Sequence, residues 1–369
     1  MTVETPPVVE PPAPDPVAPA TEAAPTGASV MMRRLRGAGR IVVAIFGALA
    51  IFGVFMATKG ANPLQAYRDM FISTFGDSKS IGEILIRSAP IILAALAVAV
   101  PARAGLVNVG GEGQLIIGGV AAAGVSIWLG THVSPGLVML LMAVGAGLAG
   151  AAWASIAAAL RLLSSINEAV TTLLMNYIAV DVMLFLIYDP WKDHKGSGQP
   201  ATPPLPVGER LPLIGTSRVS LGIVIALVAT AIVFLVMRYT SWGFRLRTVG
   251  GNPEAARRAG MRVGVLLVSA MAVGGLLAGL GGWVQLAGTE FKLRPGFVMT
   301  YGYIGFLASW LAKHNPIYVA AAAILLSAVA IGGDSLQLDS KLPAAAVNVL
   351  MAVLLLAVFG FSHKKEARA

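Results

Sequence analysis

The chain has 369 residues, 56% of them hydrophobic and 12% charged, with a mean hydropathy of +0.78. A soluble domain carries about 25% charged residues, so a water-soluble fold of this composition would expose apolar surface that it cannot cover. With no cysteine, disulfides, thiolate metal sites, cysteine nucleophiles and iron–sulfur clusters are excluded, and the net charge of +9 reads as basic cytoplasmic loops, with no nucleic-acid partner implied.

Residues 1–30 form the first region. The first 28 hold eight of the 22 prolines, four acids (Glu4, Glu10, Asp15, Glu22) and no Lys or Arg. That composition cannot bury a core and predicts a disordered, proline-rich cytoplasmic tail. It also lacks the basic start and apolar run of a secretory signal. Arg33, Arg34, Arg36 and Arg40 then precede the first apolar run, Ile41 to Ala57. This order predicts an uncleaved helix with its N-terminus inside.

Further apolar runs fall at 84–100, 113–130, 136–160, 170–188, 219–237, 265–287, 298–312, 316–333 and 343–361. About 20 residues make a straight crossing, and the runs 298–312 and 316–333 are shorter. Short segments interrupted by Gly or Pro need protein or a water-filled cavity over their backbone. The predicted fold is therefore all-α and polytopic. It has about ten transmembrane helices, a broken or re-entrant segment and both termini cytoplasmic. The membrane domain covers 31–363, with an inner loop at 238–264, an outer loop at 189–218 and a short cytoplasmic tail at 364–369. On this topology sixteen Lys and Arg residues fall inside and ten outside, with the densest clusters inside. Arg87 stands apart, near the outer end of the second span, where its guanidinium can snorkel.

Three polar segments interrupt the apolar background. The first is PARAGLVNVGGEGQLIIGG, residues 101–119. Pro101 should end a helix, and the glycines permit irregular backbone. Asn108, Glu112 and Gln114 then lie at membrane depth, where a carboxylate faces a cavity or a partner. Glu112 either belongs to a pathway or caps neighbouring backbone N–H groups. The second is SSINEAVTTLLMNYIAVD, residues 164–181. Ser164 or Ser165 is a candidate cap, Glu168 suits the first turn of the helix, and Thr172 and Asn176 share one face with it. Such a stripe lines a pathway or, as Thr171 and Thr172 suggest, joins helices by hydrogen bonds. The expectation is that Asn176 faces the path, being neutral and able to donate and accept, while Glu112 orders the glycine-rich turn from behind.

The third segment is RYTSWGFRLRTVGGNPEAARRAGMRVG, residues 238–264, the longest basic inner loop. Gly250, Gly251, Asn252 and Pro253 predict a turn with proline opening a helix. Glu254, Ala255, Ala256 and Arg257 begin a short helix that Gly260 ends. It docks on a partner or rests on anionic lipid.

Other motifs carry no chemistry. GAGLAG at 145–150 lies inside an apolar span and reads as a packing surface, as do Gly275 and Gly279. His132, His194, His314 and His363 show no metal-ligand spacing. No G-x-x-x-x-G-K-[ST] run occurs in the chain, and no catalytic residues or enzyme activity are assigned.

The three segments, in this order, resemble the membrane subunits of bacterial ABC importers in the ribose, branched-chain amino acid and nucleoside permease superfamily. The likeness is strongest to the nucleoside or simple-sugar branch, served by basic-membrane-protein-type lipoprotein receptors. NVGGEGQ resembles the segment after that branch's second helix, NEAVTTLLMNYIA its fifth-helix signature, and VGGNPEAARRAGM its coupling loop. QPATPPLP at 199–206 resembles the outer run of the longer of two paired permeases. The resemblance implies an all-α permease subunit in the bacterial plasma membrane. It also implies a separate cytoplasmic ABC ATPase that hydrolyses ATP, a second paired permease and an extracytoplasmic substrate-binding lipoprotein. The solute is then nucleoside-like or a simple sugar. Asn176, Thr172, Glu168, Asn108, Glu112 and Gln114 are the pathway candidates. Gly251 to Arg257 with Gly260 are the coupling candidates. A self-contained, ion-coupled secondary transporter is the alternative, since Glu112 can serve as a membrane carboxylate. A membrane-embedded enzyme is weaker, lacking paired carboxylates or a histidine cluster.

Overall fold

The computed structural model describes residues 46–339 except 131, 197 and 299, together with 39, 43, 346, 348–353 and 356. The tails at 1–30 and 364–369, the basic cluster at 33–40 and most of the run 343–361 lie outside the described residues.

The described chain is helical, with no strand. Its helices are α1 (Phe46–Thr58), α2 (Pro63–Phe75), α3 (Ser78–Ala102), α4 (Gly111–Leu129), α5 (Pro135–Ser164), α6 (Glu168–Tyr188), α7 (Gly222–Tyr239), α8 (Ser241–Gly251), α9 (Pro253–Arg258), α10 (Val263–Gln285), α11 (Tyr301–Leu311) and α12 (Pro316–Asp339). Seven of them, α3, α4, α5, α6, α7, α10 and α12, are long and apolar enough to cross a membrane. They coincide with seven of the apolar runs. The run 298–312 is different: its helix α11 has only 11 residues, a rise of about 16 Å against a hydrocarbon core of about 30 Å.

α3 is the central helix, with Ile91 to Val100 all buried. α10 crosses both α3 and α5 at backbone contact. A Cβ on Gly275 would collide with the carbonyl of Gly150, and one on Gly279 with that of Ala146. Such closeness needs the small residues that the sequence places at 145–150 and at 275 and 279. A smaller cluster, Phe52, Met56, Ala66, Ala346 and Leu350, packs beside this core.

Pro101 corrects the reading of the first polar segment. It does not end the helix before it but sits in the last turn of α3, which runs to Ala102. A proline there removes the N–H that would bond the carbonyl four residues back. That carbonyl, of Ala97, instead accepts from Asn108 Nδ2 at 3.0 Å. The irregular stretch is therefore 103–110, shorter than predicted, and Gly111 already opens α4. Arg87 does not simply reach for the membrane surface: its guanidinium pairs with Asp334 of α12 at 2.7 Å.

Candidate functional site

The stripe Glu168, Thr172 and Asn176 on α6 clamps the irregular segment after α3. With a spacing of four, the three side chains stack along one helix face, and each accepts from a backbone N–H of that segment or of the first turn of α4. Val107 N–H donates to Glu168 at 3.0 Å, Val109 N–H to Thr172 Oγ1 at 3.1 Å, and Gly113 N–H to Asn176 Oδ1 at 2.8 Å. Asn176 Nδ2 donates in turn to the Val109 carbonyl at 3.1 Å and to the Tyr303 hydroxyl at 3.4 Å. Glu168 is also paired with Arg161. The helix cap is Asn167, whose side chain accepts from Ala169 and Val170 N–H; Ser164 ends α5, and Ser165 is its left-handed C-cap.

Within the clamped segment the two amides pair reciprocally. Gln114 Nε2 donates to Asn108 Oδ1 at 2.9 Å, and Asn108 Nδ2 donates to Gln114 Oε1 at 3.1 Å. Asn108 Oδ1 accepts as well from Gly110 N–H at 3.0 Å. Asn108, Gln114, Thr172 and Asn176 are all at most 2% exposed. Their polar atoms are occupied by one another and by backbone. This satisfies irregular backbone at membrane depth, where water is absent.

Glu112 has a different partner from the one expected. Its carboxylate accepts from Thr300 N–H and Gly302 N–H, both at 2.6 Å, rather than from the glycine-rich turn. Thr300, in the left-handed region, offers α11 no side-chain cap. Glu112 thus caps α11 from a neighbouring helix, as Asn176 serves the first turn of α4. Both helices begin inside the body of the protein. Their orphan N–H groups are met by side chains distant in sequence. The backbones meet here too: a Cβ on Gly302 would collide with Glu112 N.

The basic loop holds two helices rather than one. Thr240 caps α8, and Gly250 and Gly251 form its last turn instead of a free turn. Asn252 then caps α9, accepting from Ala255 N–H at 3.0 Å. Ala256 is buried; Gly251 to Ala255 and Arg257 to Gly260 are exposed. Gly260, at φ +80°, closes α9: its N–H reaches the Arg257 carbonyl and Met261 N–H the Ala256 carbonyl, the two bonds of a glycine helix stop. The end of α8 bears on the start of the irregular segment. A Cβ on Gly250 would collide with the Arg103 carbonyl, and Gly105 (φ +77°) faces Gly250 Cα. Arg103 Nη2 donates to the His314 carbonyl at 2.7 Å. Burial and the Arg103 charge push the His314 pKa down to about 4, so this histidine stays neutral at physiological pH.

At the opposite end of the bundle, residues 201–211 lace onto 287–293. Thr202 N–H reaches the Leu293 carbonyl, Leu205 N–H that of Phe291, and Leu211 N–H that of Ala287, at 3.0, 2.7 and 2.8 Å. Arg210 sits 4.4 Å over the Phe291 ring. The chain from 293 then descends to Thr300 and the Glu112 carboxylate. Tyr303 and the start of α11 are the site residues that sequence reasoning missed. Their only local signal is two glycines and two tyrosines in a short apolar run.

Asn176→Leu is expected to lower the melting temperature of the detergent-solubilised protein. It leaves the Gly113 N–H and the Val109 carbonyl without a partner, at about 1–3 kcal/mol for each buried group. Thr172→Val, which strips one N–H, should lower it less. Thermal unfolding followed by tryptophan fluorescence checks the order; equal, unshifted melts would mean the clamp contributes nothing.

Seven apolar spans among the described residues, with a satisfied polar junction between them, define a multi-pass membrane protein. The chain belongs to the branched-chain amino acid transport system / permease component family, whose model matches residues 80–359. It is 34% identical to the glucose ABC transporter permease protein TsgB13 of Haloferax volcanii, over 86% of each chain. It is 31% identical to the guanosine ABC transporter permease protein NupP of Bacillus subtilis, over 89% of this chain and 94% of that one. It is 30% identical to the nucleoside ABC transporter permease protein NupB of Lactococcus lactis, over 85% and 88%. No solved structure matches. The protein is a permease subunit of an ABC importer in the plasma membrane. As a transport component of that family it works with an ATPase that hydrolyses ATP and with a binding protein. This membership sets aside the self-contained ion-coupled transporter.

Proposed function

We propose that this permease carries a nucleoside-like or simple-sugar solute inward, paired with a second permease. Its N- and C-termini face the cytoplasm, as does the α8–α9 loop, and residues 189–218 receive a solute-loaded lipoprotein outside. ATP is bound and hydrolysed by the partner ATPase alone. The observation that carries the coupling role is α9: a short, capped helix exposed on every side except Ala256. Such a helix has no structural task of its own, so its exposed residues are free to seat in a partner.

The path to the transport core runs through glycine contacts. A push on α9 is passed by the end of α8, through Gly250, to Arg103 and Gly105. From there it reaches the segment held by Glu168, Thr172 and Asn176, and then Glu112 and the start of α11. Rigid elements in direct contact are what allow an interface movement to switch access between the two sides. In this reading Glu168, Thr172, Asn176, Asn108, Glu112 and Gln114 form the wall that moves with the pathway, and Gly251 to Arg257 with Gly260 form the contact with the ATPase.

Two of the relatives are named for guanosine and nucleosides and one for glucose, which supports a hydroxylated, uncharged solute. The test is ATP hydrolysis by the reconstituted complex, with receptor present, against a panel of nucleosides and sugars. Stimulation by at least one nucleoside or hexose is the expected result. Stimulation only by branched-chain amino acids would replace the solute class.

A further inference from the structure

α6 has a second polar stripe, on the side opposite the clamp. Tyr177, Asp181 and Tyr188 are spaced by four and seven and lie along one exposed face of the helix. Tyr177 is 63% exposed. Asp181 is exposed and, among the described residues, makes no hydrogen bond or ion pair with the protein. It lies 13 residues into a helix of 21, about 20 Å from one end and 10 Å from the other. That position is inside the hydrocarbon thickness, where an ionisable side chain faces a bundle interior or a water-filled cavity, not lipid. The face therefore presents a phenol ring, Tyr177, one turn from the Asp181 carboxylate, on a helix whose other face is locked by the clamp.

Resting on the proposed solute class, we infer that Asp181 and Tyr177 form a weak solute subsite in the hydrated path, where Asp181 accepts hydrogen bonds from vicinal hydroxyls. A carboxylate has two acceptor oxygens that match two adjacent O–H donors. The Tyr177 ring offers a flat face to a sugar ring or a base. Vicinal hydroxyls are the feature that ribonucleosides share with hexoses, so one subsite serves both. Asp181 stays open to water rather than enclosed, so contact is brief. That suits a path in which a solute must also leave.

The experiment uses the whole importer complex, purified through this subunit and reconstituted in liposomes. The chain has no cysteine, so Asp181→Cys and Val182→Cys each supply a single thiol in this subunit. A membrane-impermeant thiosulfonate is expected to label Cys at 181 and to leave Cys at 182, about 100° round the helix, unlabelled. Equal labelling, or none at 181, overturns the hydrated face, including the case in which the second permease covers it. The second arm compares uptake of a ribonucleoside with its 2′-deoxy analogue, both presented on saturating receptor. Asp181→Asn is expected to lower the ribo-to-deoxy rate ratio at least threefold. An unchanged ratio in a variant that still transports overturns the subsite while leaving the solute class intact. A wild-type complex that transports neither nucleosides nor hexoses overturns both.

Discussion

Glu112→Ala is expected to lower the melting temperature more than any other single substitution in the segment 107–114. The carboxylate accepts from Thr300 N–H and Gly302 N–H at 2.6 Å and is 6% exposed. Removing it leaves the buried Gly302 N–H and the half-buried Thr300 N–H unsatisfied, at about 1–3 kcal/mol for a buried group. A second effect adds to this. The N-termini of α4 and α11 meet at Gly111 and Gly302, and each end carries a partial positive charge from its helix dipole. Glu112 places a negative charge between them, so its loss turns a capped junction into two like ends in contact. Glu112→Gln keeps one acceptor oxygen but loses the charge and points an NH2 group at an N–H donor. It should melt between wild type and Glu112→Ala. Thermal unfolding in detergent, with the yield of monodisperse protein, measures the series. An alanine variant that melts with the wild type would remove the structural role and return Glu112 to the pathway.

The apolar runs made the long helices legible, because a segment of about 20 apolar residues has few other stable environments. The two polar segments at 101–119 and 164–181 also announced themselves, since charge and amide groups are rare at that depth. Even the clamp is half visible: the spacing of Glu168, Thr172 and Asn176 puts all three on one face. What the local pattern does not contain is the other half of each bond. Thr300 and Gly302 lie 188 and 190 positions from Glu112. They contribute backbone N–H groups, which no side-chain motif reports. The Ala97 carbonyl freed by Pro101 is visible in sequence as an orphan acceptor, but its donor Asn108 is identified only by the turn between them. Likewise Asp334 gives no local sign that it pairs with Arg87. The partners of Asn176, too, are backbone atoms and a tyrosine hydroxyl on other elements, which its place on the α6 stripe does not name. Asp181 lies seven residues before the end of the apolar run 170–188, and its meaning comes from the face of α6 on which it sits.

Glu254→Ala is expected to reduce solute uptake at least tenfold while leaving the melting temperature within about a degree of wild type. Among the described residues Glu254 pairs only with Arg257 at 2.8 Å and Arg258 at 3.3 Å, all three exposed. Exposed pairs at these spacings contribute a few tenths of a kcal/mol, and α9 keeps its Asn252 cap and Gly260 stop without them. A large functional loss therefore cannot arise from unfolding and must come from what α9 touches outside this chain. Gly260→Ala makes the complementary test. Its φ of +80° strains an alanine by about 1–2 kcal/mol, enough to loosen the end of α9 without disturbing the buried bundle. It should leave ATP hydrolysis running but weakly stimulated by the loaded receptor. Uptake and receptor-stimulated ATP hydrolysis, measured on the same reconstituted complexes, separate coupling from assembly. Wild-type uptake in both variants would leave α9 as a helix resting on the lipid surface, and the contact of Gly250 with Arg103 would then brace the loop rather than transmit a push.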